Sequence, residues 1–152
     1  MTQPEYYSFH RAQRSMLYSD HMIYSPDVPF FRDDEYHLLD HPYLASVITT
    51  PAPNFGEAER ASHDEGHLAP TVRSTRCRKL LTLASTHQHR VLILGAWGCG
   101  VFRNDPTEVA ETFSHWLDSP LFEKAFDHVV FAIYDRSKTQ DTMRAFQRRF
   151  GS

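Results

Sequence analysis

The apolar positions of the chain predict alternating strands and helices in its second half. Val91–Leu94 and Val129–Ile133 are continuous apolar runs, which are typical of parallel strands covered on both faces. Apolar residues at helical spacing follow each run, first at Val109, Phe113, Trp116 and Leu117 and then at Met143, Phe146 and Phe150. The order strand, helix, strand, helix predicts an α/β fold with a parallel sheet and helices on both of its faces.

The first half of the chain is less regular. Residues 1–20 are polar and aromatic and predict at most a short helix. Pro26 and Pro29 restrict their segment to short strands at an edge or around a bulge, because proline cannot donate to a strand ladder. Three further elements are predicted: a strand over residues 44–50, a surface loop over residues 55–69, and a helix over residues 70–88 with the apolar stripe Cys77, Leu80, Leu81 and Ala84.

The connection after Leu94 has the pattern of an anion-binding loop. Gly95, Gly98 and Gly100 allow tight turns and leave backbone N–H groups uncovered by side chains. Asp105-Pro106 then predicts a capped helix start, and the Asp105 carboxylate would occupy the amides at the helix tip. An anion is therefore expected on the loop amides from Gly98 to Phe102. Spacing alone leaves the alternative open that these glycines only turn the chain.

Other candidate chemistry along the chain favours structural roles. The pair His63 and His67 has metal-ligand spacing, but Gly66 and the loop-like flanks argue against a helix, so solvated loop histidines are expected. Cys99 is interpreted as a small loop residue rather than a nucleophile, since no base is tied to it. The basic side chains of the helix over residues 70–88 could contact the phosphates of a ligand but are expected to face water, namely Arg73, Arg76, Arg78 and Lys79.

Composition narrows the class of protein. The 152 residues carry a formal net charge of −3, with 41% hydrophobic and 13% aromatic residues, which is enough apolar material for a core. The negative charge disfavours direct nucleic-acid or acidic-membrane binding. Two cysteines, no signal-peptide pattern and no membrane-length apolar run predict a cytoplasmic protein without a disulfide framework.

Four segments together resemble the microbial-type poly(ADP-ribose) glycohydrolases, a family with a macrodomain-like fold. The most distinctive is the string from Gly95 to Pro106, Gly-Ala-Trp-Gly-Cys-Gly-Val-Phe-Arg-Asn-Asp-Pro. The others follow the family order, at residues 24–33, 46–54 and 129–135, and the resemblance runs from about residue 17 to the end. It implies a three-layer α/β/α fold with a mixed, largely parallel sheet.

The resemblance also implies a ligand site. The loop Gly98, Cys99, Gly100, Val101 and Phe102 would hold the diphosphate of ADP-ribose, with Val101 and Phe102 near the distal ribose. Tyr134 would lie against adenine, although a tyrosine at a strand end is an equally good interpretation, and Phe102 could instead fill the space under the loop. ADP-ribose or an ADP-ribosylated protein is the expected partner, and neither a metal nor a cofactor is expected.

Two elements of the family pattern are not found in this sequence. Family enzymes carry a triple-glycine loop and a Gln-Glu-Glu element whose second glutamate acts in ribosyl-bond cleavage, whereas this sequence has no Gly-Gly or Glu-Glu pair. We therefore expect residues 1–20 to be a connector and residues 21–152 to be the C-terminal part of the family domain, lacking its N-terminal strands, catalytic loop and catalytic residues. Three hypotheses follow: hydrolysis with a complementing N-terminal half, ADP-ribose binding without turnover, or an inactive truncated remnant.

Overall fold

The computed structural model describes residues 3–151 and divides into two compact units. The first unit holds residues 3–12 and 19–51, and the second holds residues 13–18 and 52–151. Both helices and strands are present, with antiparallel pairing in the first unit and parallel pairing in the second. Among the described residues, no helix has the length and apolarity that crossing a bilayer requires.

The first unit consists of a short helix and a long hairpin. Helix α1 spans Pro4–Ala12, and strands β1 (Ile23–Arg32) and β2 (Leu38–Thr49) pair antiparallel. The bulge predicted at the prolines is present, because the register of the ladder shifts between Ser25 and Val28 around Pro26, and β1 pairs with β2 alone among the described residues. The predicted shortness is wrong, since β1 is 10 residues long. The predicted strand over residues 44–50 is present, but it begins earlier, at Leu38.

The second unit carries the remaining six elements. They are α2 (Phe55–Ala61), α3 (His63–Thr86), β3 (Val91–Leu94), α4 (Pro106–Leu117), β4 (His128–Phe131) and α5 (Asp141–Phe150). The loop predicted over residues 55–69 is therefore wrong, since it contains α2 and the first turns of α3. Its polar residues are on exposed helix faces, while Ala58 and Ala69 pack with Leu17 in a small core cluster.

The parallel sheet of the second unit is covered on one face only by the described residues. Strands β3 and β4 pair from Val91–His128 to Leu94–Phe131. Leu92 is buried, whereas Ile93 is 75% exposed and Val130, its pairing partner, is 51% exposed. The expectation that β3 is covered on both faces is thus not met by residues 3–151, and a row of apolar side chains remains open to solvent.

Helix α4 packs as its apolar spacing predicts. Val109 and Phe113 are buried, and Phe113 contacts the ring of Phe131 on β4 with 5.5 Å between ring centroids. Trp116 is only partly buried, and its indole N–H donates to Ser74 Oγ at 3.0 Å, so it joins α4 to α3 at the margin of the core. On α5, Phe146 and Phe150 pack against Phe131.

Candidate functional site

The glycine loop connects the carboxyl end of β3 to the start of α4. Ligands of parallel sheets bind at the carboxyl ends of the strands. The predicted helix start is confirmed: Pro106 opens α4, and Asp105 Oδ1 accepts the backbone N–H groups of Thr107 at 2.8 Å and Glu108 at 3.0 Å. The tip of α4 is therefore occupied by a carboxylate. These two N–H groups are therefore not available to an anion, and the loop amides are the candidate donors.

Gly98 adopts a conformation that requires glycine. Its φ is +76°, in the left-handed region, and a Cβ on it would lie 2.5 Å from Asn104 Nδ2 and 2.6 Å from Ala52 Cβ. Gly100 is different, because a Cβ there would meet nothing within 4 Å. Gly98 therefore allows the loop to pack against Asn104 and Ala52, whereas Gly100 faces open space.

Asn104 supports the loop from below, a role that the sequence analysis did not identify. Its buried side chain donates from Nδ2 to Pro53 O at 2.8 Å and to Gly98 O at 3.0 Å, and its backbone N–H also donates to Gly98 O at 3.1 Å. A second tie joins the loop to α2, where the Gly56 N–H donates to Phe102 O at 3.0 Å. These bonds use the carbonyl groups of the loop.

The N–H groups of the loop are largely uncommitted. Cys99 donates to Ala96 O at 3.1 Å and Arg103 to Gly100 O at 3.0 Å. Within residues 3–151, the N–H groups at four loop positions make no hydrogen bond, namely Gly98, Gly100, Val101 and Phe102. A loop whose carbonyl groups are used internally and whose N–H groups are free has the polarity of an anion cradle.

The side chains of the predicted site differ in exposure. Val101 is 91% exposed, while Phe102 is partly buried and contacts the ring of Tyr18 at 5.9 Å between centroids. Tyr134 is 77% exposed beyond β4, with the Arg136 guanidinium 5.0 Å from its ring centre. The two aromatic side chains are thus placed differently: Phe102 packs against Tyr18, and Tyr134 has an exposed ring beside Arg136.

Cys99 lies in the loop without the features of a nucleophile. Burial raises the pKa of its thiol to about 12, although Arg73 acts in the opposite direction. A thiol with that pKa is protonated at neutral pH and is a poor nucleophile. The geometry therefore favours the small-residue interpretation of Cys99.

Arg73 and Arg76 are buried, so the expectation that they face water is wrong. Arg73 donates from Nη2 to Glu108 Oε2 at 2.7 Å and from Nε to Thr112 Oγ1 at 3.2 Å, which ties α3 to α4. Arg76 is 1% exposed and donates to Leu17 O at 3.0 Å. Arg73 also lines a cleft of about 660 Å³ between α2, α3 and the glycine loop.

The histidines predicted in a loop lie on the first turns of α3. His63 and His67 are exposed, as expected, but their Nε2 atoms are only 2.7 Å apart because the segment is helical. Gly66 did not prevent the helix: it is buried inside α3 with Glu59 of α2 packed against it.

The chain resembles known proteins at the level of both sequence and structure. The model of the microbial-type PARG catalytic domain matches residues 1–33. The structure of poly(ADP-ribose) glycohydrolase from Deinococcus radiodurans in complex with ADP-ribose is 43% identical, has a TM-score of 0.90, and is matched over 95% of this chain and 57% of that chain. The glycohydrolase from Thermomonospora curvata is 49% identical, with a TM-score of 0.88, over 97% of this chain and 53% of that chain. No curated protein matches the chain.

The chain belongs to the microbial-type poly(ADP-ribose) glycohydrolase family. The predicted macrodomain-like α/β fold is thereby confirmed, with strand pairs of both kinds in two small sheets among the described residues. The match extends further towards the N-terminus than residue 17, because the family model includes residues 1–33. The chain spans little more than half the length of these glycohydrolase structures.

Proposed function

We propose that this chain binds ADP-ribose, with the diphosphate on the loop from Gly98 to Phe102. The observation that carries the proposal is the set of uncommitted N–H groups at Gly98, Gly100, Val101 and Phe102, at the carboxyl end of a parallel strand. A diphosphate accepts several such bonds at once. Support also comes from the D. radiodurans relative, whose structure is a complex with ADP-ribose.

In this proposal, the side chains around the loop determine the orientation of the bound ADP-ribose. Exposed Val101 and partly buried Phe102 border the distal ribose, and the free face of Tyr134 stacks on adenine. Cys99 contributes a small side chain to the loop rather than a reacting group. The binding is of a small anionic nucleotide, and no metal or cofactor takes part in it.

Hydrolysis of the ribosyl bond requires a glutamate from outside this sequence. The resemblance places the reacting carboxylate of the family in a Gln-Glu-Glu element, and the sequence has no Glu-Glu pair. We propose that a complementing N-terminal half supplies it. Binding without turnover is the alternative function, and it is favoured by the same missing element.

Two measurements test the proposal in order. Titration calorimetry with ADP-ribose should give saturable heat, with ribose 5-phosphate and AMP binding more weakly because each carries only part of the ligand. Absence of heat at millimolar ADP-ribose would remove the binding function and leave the inactive remnant. Release of ADP-ribose from a modified protein by this chain alone would contradict the requirement for an external glutamate.

A further inference from the structure

We propose that His63 and His67 form a binding site for a divalent cation of the Zn²⁺, Ni²⁺ and Cu²⁺ class. The two residues are one helical turn apart on α3, so their side chains lie on the same face. Their Nε2 atoms are 2.7 Å apart and their ring centroids 4.0 Å apart. Two imidazole nitrogens this close together on one helix face are suited to a borderline-soft metal ion.

Glu59 fixes the ring of His63 in the state that a ligand needs. Its Oε1 lies 2.8 Å from His63 Nδ1, so Nδ1 carries the proton and donates it to the carboxylate. The lone pair of His63 is then on Nε2, the atom that faces His67. A carboxylate behind a ligating histidine is the usual arrangement in protein metal sites.

Gly66 allows Glu59 to reach this position. A Cβ at Gly66 would lie 2.0 Å from Glu59 Oε2 and 3.1 Å from Glu59 Cα, so a larger residue would displace the Glu59 side chain and crowd α2. Gly66 is buried in the first turn of α3. The absence of a side chain at Gly66 therefore leaves room for the Glu59 carboxylate beside His63.

The metal-free arrangement converts to a metal site with little movement. Without metal, His67 Nε2–H donates to His63 Nε2. On binding, His67 loses that proton from Nε2 to solvent and takes one up at Nδ1, so that both Nε2 lone pairs face the ion. The nitrogen separation opens to about 3.3 Å, as tetrahedral bonds of 2.0–2.1 Å require. Both side chains are exposed and free to make this adjustment.

The remaining coordination positions face the cleft of about 660 Å³ that Glu59, His63 and His67 line together with Cys99 and Gly100. No third histidine, cysteine or carboxylate within residues 3–151 joins the pair. The one cluster of three such groups in that range is Asp33, Glu35 and His37, in the turn of the hairpin. Water completes the coordination, and the site stands independently of the proposed nucleotide binding.

Calorimetric titration of the full chain with ZnCl₂ tests the proposal. We expect one Zn²⁺ per chain, saturating below about 1 mM, and no such binding of MgCl₂, which prefers oxygen ligands. His63→Gln and His67→Gln should each weaken Zn²⁺ binding by at least about tenfold, and Glu59→Gln by about tenfold through loss of the oriented ring. Far-ultraviolet circular dichroism checks that these surface variants are folded.

Two histidine variants serve as controls. His87→Gln changes another exposed histidine of the same unit, and His37→Gln changes the hairpin cluster. Both should bind Zn²⁺ as the unmodified chain does. Unchanged affinity in the His63→Gln and His67→Gln double variant, or loss of binding in His37→Gln alone, would overturn the proposal.

Discussion

The loops that follow β3 and β4 leave the same edge of one parallel sheet, yet their polar groups are used in opposite ways. After β3, the Asn104 side chain and the Gly56 N–H bind the loop carbonyls and leave four N–H groups free. After β4, no glycine is present, and the Asp135 carboxylate accepts N–H groups from Ser137, Thr142 and Met143. The first loop is therefore the one that we propose to bind an anion, whereas in the second loop a carboxylate of the chain itself accepts the N–H groups.

The loops after β3 and β4 differ in the groups that they present to a ligand. In the proposed function, the backbone of the first loop binds the diphosphate, and the side chains of Val101 and Phe102 border the ligand. In the second loop, the Asp135 carboxylate caps α5, and the exposed ring of Tyr134 is the group proposed to contact the ligand. Changes to backbone geometry should therefore have large effects in the first loop, and side-chain truncation should have a modest effect in the second.

Gly98→Ala should have the largest effect. The added methyl group is forced against Asn104 and Ala52 in a left-handed conformation, so the free energy of unfolding should fall by about 2–4 kcal/mol. ADP-ribose binding should be lost with the loop geometry. Urea denaturation and calorimetry measure the two quantities, and an unchanged variant would show that the loop is not held as described.

Asn104→Ala should have the second largest effect. Removal of Nδ2 leaves the buried Pro53 O without this donor and Gly98 O with only the backbone N–H of residue 104, at a cost of about 2 kcal/mol. ADP-ribose affinity should fall because Gly98 is held less firmly. Asn54→Ala is the matched control. Asn54 is also buried, but it caps α2 by accepting the Glu57 N–H, so this change should cost about 1 kcal/mol without weakening ADP-ribose binding.

Gly100→Ala should separate binding from stability. Its methyl group meets no protein atom within 4 Å, so the unfolding free energy should stay the same or rise by about 0.4–1 kcal/mol. The methyl group enters the space beside the free N–H groups, and ADP-ribose affinity should fall about tenfold, or about 1.4 kcal/mol. Unchanged affinity would mean that the ligand approaches from elsewhere.

Tyr134→Ala should weaken ADP-ribose binding by about twofold to tenfold, which corresponds to the loss of one aromatic contact. Affinity for ribose 5-phosphate, which has no adenine, should not change. Tyr7→Ala removes another exposed tyrosine and should leave both affinities unchanged. An equal loss for both ligands would assign Tyr134 a structural role instead.

Asp135→Asn should have the smallest effect, and it depends on pH. Hydrogen bonds from the Ser137 hydroxyl and N–H, followed by those from α5, hold the pKa of Asp135 below its ordinary value of 3.8. The lowered pKa means that Asp135 stabilises the fold above about pH 4 and that this contribution is lost as pH falls through the folded-state pKa. The melting temperatures of the two proteins should differ at pH 7 and converge in acid, without a change in ADP-ribose affinity at pH 7.

Local patterns predicted the elements around the loop well. The runs at β3 and β4, the Asp105 cap and the apolar stripe of α4 all depend on neighbouring residues, and all are present in the structure. The macrodomain-like fold followed from the family resemblance. The family is confirmed by the comparisons, whereas the roles of the loop residues and of Tyr134 stay predictions.

The errors come from packing and exposure that the local sequence pattern does not record. Gly66 indicates a loop by its own propensity, but Glu59 packs against it and the helix continues. Arginine is typically a surface residue, so the sequence predicts that Arg73 and Arg76 are exposed. Both are buried because Arg73 pairs with Glu108 and Arg76 donates to Leu17 O. The exposed start of β2 has no buried face, so its residues carry no alternating pattern to detect.

Amide chemical shifts measured during titration with ADP-ribose test the central claim most directly, because they report on each N–H group separately. The account predicts that the largest changes fall on Gly98, Gly100, Val101 and Phe102, the groups without an internal partner. Thr107 and Glu108, which already donate to Asp105, should change little. Saturable binding that leaves the four loop amides unshifted would contradict the claim that this loop holds the diphosphate.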